Sequence, residues 1–252
     1  MNLKEKLNSN QTTIGSWITI GHHSIVEIMA FGKFDWLAID MEHSPISSEK
    51  CQELIMAIQS KNISPIVRVS KNSSVEIKKA MDSGAHGVIV PMISSEKDAL
   101  KAVSYTQYPP YGKRGAGLAR AQDYGQGFED YCTWLSSSSV VIAQIESIEA
   151  VNNIEKIITT EGIDGIIIGP YDLSASLGYP GDLNNKLLLE AIKSVEIACK
   201  KNSFPLGCHI IKPNNKKLDE KINIGYNFIG FSLDFLFLGE KIIEEMKKIK
   251  KC

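Results

Sequence analysis

Apolar residues in this chain gather in short runs rich in β-formers: GSWITI (15–20), FDWLAID (34–40), PIVRVS (65–70), HGVIVPMI (86–93), VVIAQIES (140–147), IDGIIIGP (163–170), FPLGCHI (204–210) and YNFIGFSLD (226–234). Their length and composition predict eight strands. Between them the spacing of apolar positions changes to a helical period, as in SSEKCQELIMAIQSKN and NNKLLLEAIKSVEIACKK. Several of these stretches open on a Ser or Asn cap, and three end near Gly84, Gly162 or Gly225. Eight strand-plus-helix units in 252 residues average about 31 residues each, the size of a βα repeat. The pattern predicts an α/β chain forming a single (β/α)8 barrel over residues 1–252. An open doubly wound sheet has the same alternation, so closure is not fixed by the pattern.

Two segments fall outside the rhythm. MNLKEKLNSN reads as a short amphipathic N-terminal helix and lacks the apolar centre of a signal peptide. Residues 109–138, PPYGKRGAGLARAQDYGQGFEDYCTWLSSS, are too long and Gly-rich for a simple connection. They are expected to lie partly below the barrel and partly wrapped toward its active face.

Composition narrows the function classes. A formal net charge of −1 offers no general attraction to nucleic acid or anionic lipid. No apolar run approaches the ~20 residues of a membrane span. The five cysteines are odd in number and form no CxxC pair, which predicts reduced thiols in the cytoplasm rather than a disulfide framework or zinc site.

In a barrel of this kind the reactive groups belong at the carboxyl ends of the strands. There the chain carries Asp40, Glu42 and His43, then Arg68, Gln144 with Glu146, Asp172, His209, and Ser232 with Asp234. Gln144 and Glu146 are two apart and share a face. A carboxylate at the end of a buried strand needs a cation. Glu146 and Asp172 fit a hard divalent ion, which takes one or two carboxylates and leaves its other positions to water and substrate. Pairing of Glu146 with Arg114 or Arg120 fits the spacing equally well.

Six motifs then occur in order: FDWLAIDMEHSP, PIVRV, MDSGAHGVIVPMI, YPPYGKRGAG, IAQIES and GIIIGPYDLSASLG. Together, from about residue 14 to 235, they resemble the HpcH/HpaI family of class II pyruvate aldolases, (β/α)8 barrels that cleave 4-hydroxy-2-oxo acids. The resemblance implies a divalent metal (Mg²⁺, Mn²⁺ or Co²⁺) on Glu146 and Asp172, with Gln144 beside the bound 2-oxo acid. It implies that Arg68 faces the oxygen where enolate charge develops. It also implies that His43, oriented by Asp40, is the acid/base, acting through a metal-bound water. The turn from Gly169 and Pro170 to Ser174 would receive the pyruvate carboxylate on its backbone N–H groups. A Lewis acid, a permanently charged guanidinium and an imidazole suit release of pyruvate enolate. Pyruvate and an aldehyde would be the small-molecule partners, in a homo-oligomer, by resemblance a hexamer. Met41 and Tyr171 depart from the family's GEH and GPADLS, and the Gly-rich segment reads shorter, so the acceptor half is where this chain differs.

Competing readings are an enolate-forming decarboxylase, a lyase like the citrate lyase β subunit, and a silent barrel that binds a 2-oxo acid. No strand contains a lysine, which disfavours a Schiff-base aldolase. His22 and His23, after the first strand, are within reach of a substrate but read as loop residues, and His86, at the start of the fourth strand, reads as structural. Cys208–His209 lacks partners at metal-ligand spacing, and the KKIKKC tail reads as a solvated helix end. GKRGAG is not a phosphate loop, since no strand feeds it.

Overall fold

A computed structural model describes residues 1–249, so Lys250, Lys251 and Cys252 of the basic tail lie outside the described residues. All eight predicted strands form: β1 (Thr13–Ile18), β2 (Trp36–Asp40), β3 (Ser64–Arg68), β4 (Gly87–Val90), β5 (Val140–Ile145), β6 (Gly165–Ile168), β7 (Leu206–Ile210) and β8 (Phe228–Leu233). Each pairs in parallel with the next, and β8 returns to β1 through Thr13↔Phe228, Ile14↔Ile229 and Gly15↔Gly230. Closure into a barrel decides between the two architectures the pattern allowed.

The helices are α1 (Leu3–Asn8), α2 (His23–Met29), α3 (Ser48–Ser60), α4 (Ser74–Asp82), α5 (Glu96–Thr106), α6 (Phe128–Ser138), α7 (Ile148–Asn152), α8 (Ile154–Ile158), α9 (Pro170–Ser176), α10 (Lys186–Lys201), α11 (Asn215–Ile224) and α12 (Asp234–Ile249). Side-chain oxygens of Ser47, Ser73, Ser95 and Ser147, and of Asn185 and Asn214, accept first-turn N–H groups and so fix where these helices begin.

Strands buried on both faces divide their side chains between two cores. One lies between strands and helices. The other fills the barrel with Trp17, Trp36, Ala38, Ile66, Ile89, Ile142, Ile167 and Phe228. Trp36 stacks on Phe228 at 4.2 Å and meets Trp17 edge-on at 6.5 Å. Gly15 makes room for them, because a Cβ there would stand 2.0 Å from Trp36 Cδ2. Helix α1 floors this core with Leu3 and Leu7, and its Lys4 and Lys6 pair with Asp164 and Asp35 at 3.0 and 2.6 Å.

The irregular stretch resolves into a loop, a 3-10 turn (Arg120–Gly125) and α6. Helix α6 was expected to be part of a loop; its buried Tyr131 and Leu135 are four apart on one face. Arg114 is fully buried and donates to Thr106 O, Asp82, Tyr108 Oη and Tyr131 Oη, while Arg120 donates to Ser83 O and Gln59 Oε1. These partners sit at the amino-terminal end of the barrel. Among the described residues, these two arginines tie the segment there and not to the active face.

Candidate active site at the carboxyl ends of the strands

Asp40 and Arg68 are direct neighbours in the β2/β3 register, so their side chains leave the sheet on one side. Arg68 grips Asp40 with two bonds, Nε to Oδ1 at 3.0 Å and Nη2 to Oδ2 at 2.7 Å. Its guanidinium also lies over the Trp17 ring, 4.5 Å from the centroid. Asp40 Oδ1 accepts the backbone N–H groups of Glu42 and His43 at 3.0 and 3.2 Å. Burial pushes the Asp40 carboxyl upward, but Arg68 and these N–H groups outweigh it and hold the carboxyl below the usual range.

Asp40 does hold His43, as expected, and does so through the His43 main chain. The carboxylate at the ring is Glu42, whose Oε2 is 3.7 Å from His43 Nε2 and 3.4 Å from Arg68 Nε. This Oε2 is buried and accepts no hydrogen bond among the described residues. Burial raises the Glu42 carboxyl above its ordinary range against the pull of Arg68, and the Glu146 charge adds to the rise.

Glu146 follows β5 directly and is only 4% exposed. Gln144 Nε2 donates to its Oε2, and Met92 N donates to Oε1 at 2.6 Å. Burial lifts this carboxyl too; the two donors oppose the rise and the Asp172 charge reinforces it. Arg114 and Arg120 are engaged at the other end of the barrel, which removes the pairing of Glu146 with either of them. Asp172 occupies the first turn of α9, whose N-cap is Gly169. A Cβ on Gly169 would come within 3.2 Å of Glu146 Oε2, so glycine lets β6 pass close over the carboxylate.

No closed cage of three or more Asp, Glu, His or Cys side chains exists among the described residues. The residues present nevertheless fit a hard divalent cation. Glu146 and Asp172 lie close enough for their charges to repel, and a hard ion takes one or two carboxylates and leaves its other positions to water and substrate.

Ser174 was expected to meet the substrate. It is fully buried, donating to Tyr171 O at 2.6 Å and accepting from Gly181 N at 2.9 Å, so it braces the turn from behind. Gly169, Pro170, Tyr171 and Asp172 form the face that lines the cleft.

The cleft has two lobes that share Trp17, His43, Arg68 and His209. A 200 Å³ lobe reaches Gln144 and the Gly169–Asp172 turn; a 330 Å³ lobe reaches Thr19, Asp40, Ser44 and Phe235. Larger hollows of 480 and 820 Å³ lie at the opposite end, around His86 with Arg120 and around Lys4 with Asp164. Neither is lined by Asp40, Arg68, Gln144 or Asp172, and the strand-end rule favours the two-lobed cleft. Sequence reasoning placed Glu42 at the rim without assigning it a role and missed Trp17. The two-residue spacing of Asp40 and Glu42 was an available signal for the first; nothing local marked the second.

The family model described as HpcH/HpaI aldolase/citrate lyase matches residues 13–235. The 2-keto-3-deoxy-L-rhamnonate aldolase of Escherichia coli (strain K12) is 32% identical over 98% of this chain and 92% of its own length. A solved HpcH/HpaI aldolase/citrate lyase family protein from Burkholderia cenocepacia J2315 superposes with a TM-score of 0.93 at 32% identity, covering 98% of both chains. The citrate lyase β subunit from M. tuberculosis, complexed with oxaloacetate and magnesium, shares the fold at a TM-score of 0.60 and 11% identity, over 92% of this chain and 95% of that one.

Proposed function

Since the chain belongs to the HpcH/HpaI aldolase/citrate lyase family, we propose that it is a metal-dependent aldolase that reversibly cleaves a 4-hydroxy-2-oxo acid into pyruvate and an aldehyde. The relative from Escherichia coli is named for 2-keto-3-deoxy-L-rhamnonate, and a 2-keto-3-deoxy sugar acid is the substrate class proposed for this chain. The observation that carries the reading is that Asp172, Gln144 and Arg68 line one small lobe, while the buried Glu146 carboxyl takes the Gln144 amide and feels the charges of Asp172 and Arg68.

Glu146 and Asp172 would hold a divalent ion such as Mg²⁺, Mn²⁺ or Co²⁺, which supplies Lewis acidity toward the 2-oxo acid. Cleavage removes the 4-hydroxyl proton, turns C4–O into a carbonyl and breaks C3–C4. The released electron pair becomes the C2–C3 double bond of pyruvate enolate, which then takes a proton at C3. His43 receives the hydroxyl proton, with the Glu42 carboxyl 3.7 Å from its Nε2. Asp40 keeps the His43 main chain and the Arg68 guanidinium in fixed relation. Arg68 supplies a permanent positive charge to the enolate oxygen without reorganising. Gln144 orients Glu146, and the backbone of Gly169 and Pro170 borders the pyruvate carboxylate.

The proposed unit is one barrel over residues 1–252, assembled as a cytoplasmic homo-oligomer, a hexamer by family resemblance. Helix α12 supports the assembly. Phe237 packs near Phe34 and Phe231, yet Phe235, Leu238, Ile242, Ile243, Met246 and Ile249 remain exposed. A second copy would cover such a stripe. Cys51, Cys199 and Cys208 are buried free thiols, in keeping with a reducing compartment.

Proton exchange tests the donor half without any aldehyde. In D₂O the protein should exchange the methyl protons of pyruvate, lose that activity with EDTA and regain it with Mn²⁺, Co²⁺ or Mg²⁺. Glu146→Gln and Asp172→Asn should weaken metal binding and slow exchange; His43→Ala should slow exchange with metal still bound. Exchange surviving exhaustive chelation, or a lysine trapped by borohydride with pyruvate, would overturn the mechanism. No exchange with metal bound would indicate a silent 2-oxo-acid binder.

A further inference from the structure

His209 lies on β7 opposite Gly230 of β8, which has no side chain to crowd the imidazole. Its Nε2 is 3.2 Å from Ser232 O. A carbonyl oxygen can only accept, so the proton resides on Nε2 and Nδ1 carries a lone pair. Ser232 O is itself held, accepting Ser16 Oγ at 3.1 Å, and the ring leans on Trp17 at 5.5 Å. Burial lowers the imidazole to about 4, with the Arg68 charge adding to that and the Ser232 carbonyl opposing it, so the ring is neutral at pH 7.

Nδ1 has no hydrogen-bond partner among the described residues, and it is not one of the buried, sealed polar atoms. It is therefore open to the space that His209 lines. That space is where both lobes of the cleft meet a 550 Å³ groove running past Tyr171 and Ile211. Of the other polar groups lining the larger lobe, Trp17 Nε1 is sealed from solvent, Arg68 can only donate, and His43 is assigned to proton transfer. Thr19 donates its hydroxyl to Asp234, Ser44 donates to Asp40 O, and Asp40 is filled by Arg68 and two N–H groups.

We infer that His209 sets acceptor specificity, its Nδ1 receiving a hydrogen bond from a hydroxyl on the aldehyde half of the substrate. The inference rests on the aldolase reading above and deepens it: the acceptor is a hydroxyaldehyde rather than an alkyl aldehyde. His209 does not join the proton transfers and is a specificity residue. One neutral hydrogen bond in a cleft still open to water corresponds to about tenfold discrimination.

Lactaldehyde and propionaldehyde differ by the one hydroxyl, so their kcat/KM values with pyruvate and metal present provide the probe. The ratio should favour lactaldehyde in the wild type. His209→Leu should reduce that preference about tenfold, mainly through the lactaldehyde KM. Propionaldehyde, which has no hydroxyl to donate, should lose far less kcat/KM than lactaldehyde does. His209→Asn, whose amide oxygen can stand near Nδ1, should keep part of the preference. An unchanged ratio in a folded His209→Leu protein, or no preference in the wild type, would overturn the inference. The wild-type comparison needs no variant and decides the second outcome even if His209→Leu fails to fold. Exchange that proceeds while the ratio fails to move refutes His209 alone; wild-type protein without exchange refutes the aldolase reading and this inference with it.

Discussion

Replacing Arg68 with Met separates its pairing with Asp40 from its proposed role at the enolate oxygen. Asp40 is 3% exposed and takes two charge-assisted bonds from Arg68, at 2.7 and 3.0 Å. The substitution leaves that carboxylate buried with only the N–H groups of Glu42 and His43. Losing one partner of a buried ion pair costs about 3–5 kcal/mol. For a chain this long each kcal/mol lowers Tm by about 2–4 °C, so a fall on the order of 10 °C is expected. Adding Asp40→Asn removes the stranded charge, and the double variant should recover about half of the loss in differential scanning calorimetry. Pyruvate proton exchange should behave differently, falling roughly 10²–10³-fold in Arg68→Met and staying low in the double variant, because the fixed cation is gone from both. Exchange within a few fold of wild type in Arg68→Met would refute the chemical role. Exchange returning together with stability in the double variant would show that Arg68 matters only as a partner for Asp40.

Arg114→Met should destabilise the chain by about 3–5 kcal/mol, since it strands Asp82, Tyr108 and Tyr131 around a fully buried site. In urea titrations that loss should appear with the rate of pyruvate exchange by the folded protein unchanged. His86 is held neutral, its pKa lowered to about 4 by burial and by the Arg120 charge. The unfolded chain takes up that proton from about pH 6.5, so the contribution is intact above pH 6.5 and is lost as pH falls toward 4. The loss is at most about 3 kcal/mol, less for the ring's partial exposure. His86→Gln should flatten this part of the stability profile, and an unaltered acid limb would count against it.

Much of the barrel is legible in the sequence because strands buried on two faces must be apolar nearly throughout. GVIV and GIII leave little alternative. Helix α6 was not legible because its Gly-rich approach masked the Tyr131 and Leu135 spacing. Rim positions could be read because ionisable residues at strand ends break otherwise apolar runs, as Asp40, Arg68 and Glu146 do. Pairing within the rim could not. Whether Asp40 meets the imidazole or the main chain of His43 depends on how residues 40–44 leave the strand, a question of dihedral angles. The neutrality of His209 was equally hidden, since it follows from burial by Trp17 and from a carbonyl turned toward it by Ser232, whose φ is 55°. The family resemblance supplied roles; the coordinates supplied Glu42 and sent Ser174 behind the turn.

Asp234 is fully buried and takes the N–H groups of Thr19 and Ile20 and the hydroxyl of Thr19, linking positions 214 and 215 residues apart. During synthesis that knot has to wait for residue 234 to emerge. Translation at about 5–20 residues per second separates the emergence of Thr19 from that of Asp234 by about 10–40 s. Through that interval β1 has β2 on one side and an unpaired edge on the other, the kind of edge that captures other strands. The seam between β1 and β8 is thus the point at which a nascent chain is open to chaperone capture or to a wrong partner. Substitutions in Asp234 should register in the yield of protein from cells before they register in the properties of the molecules that have already closed.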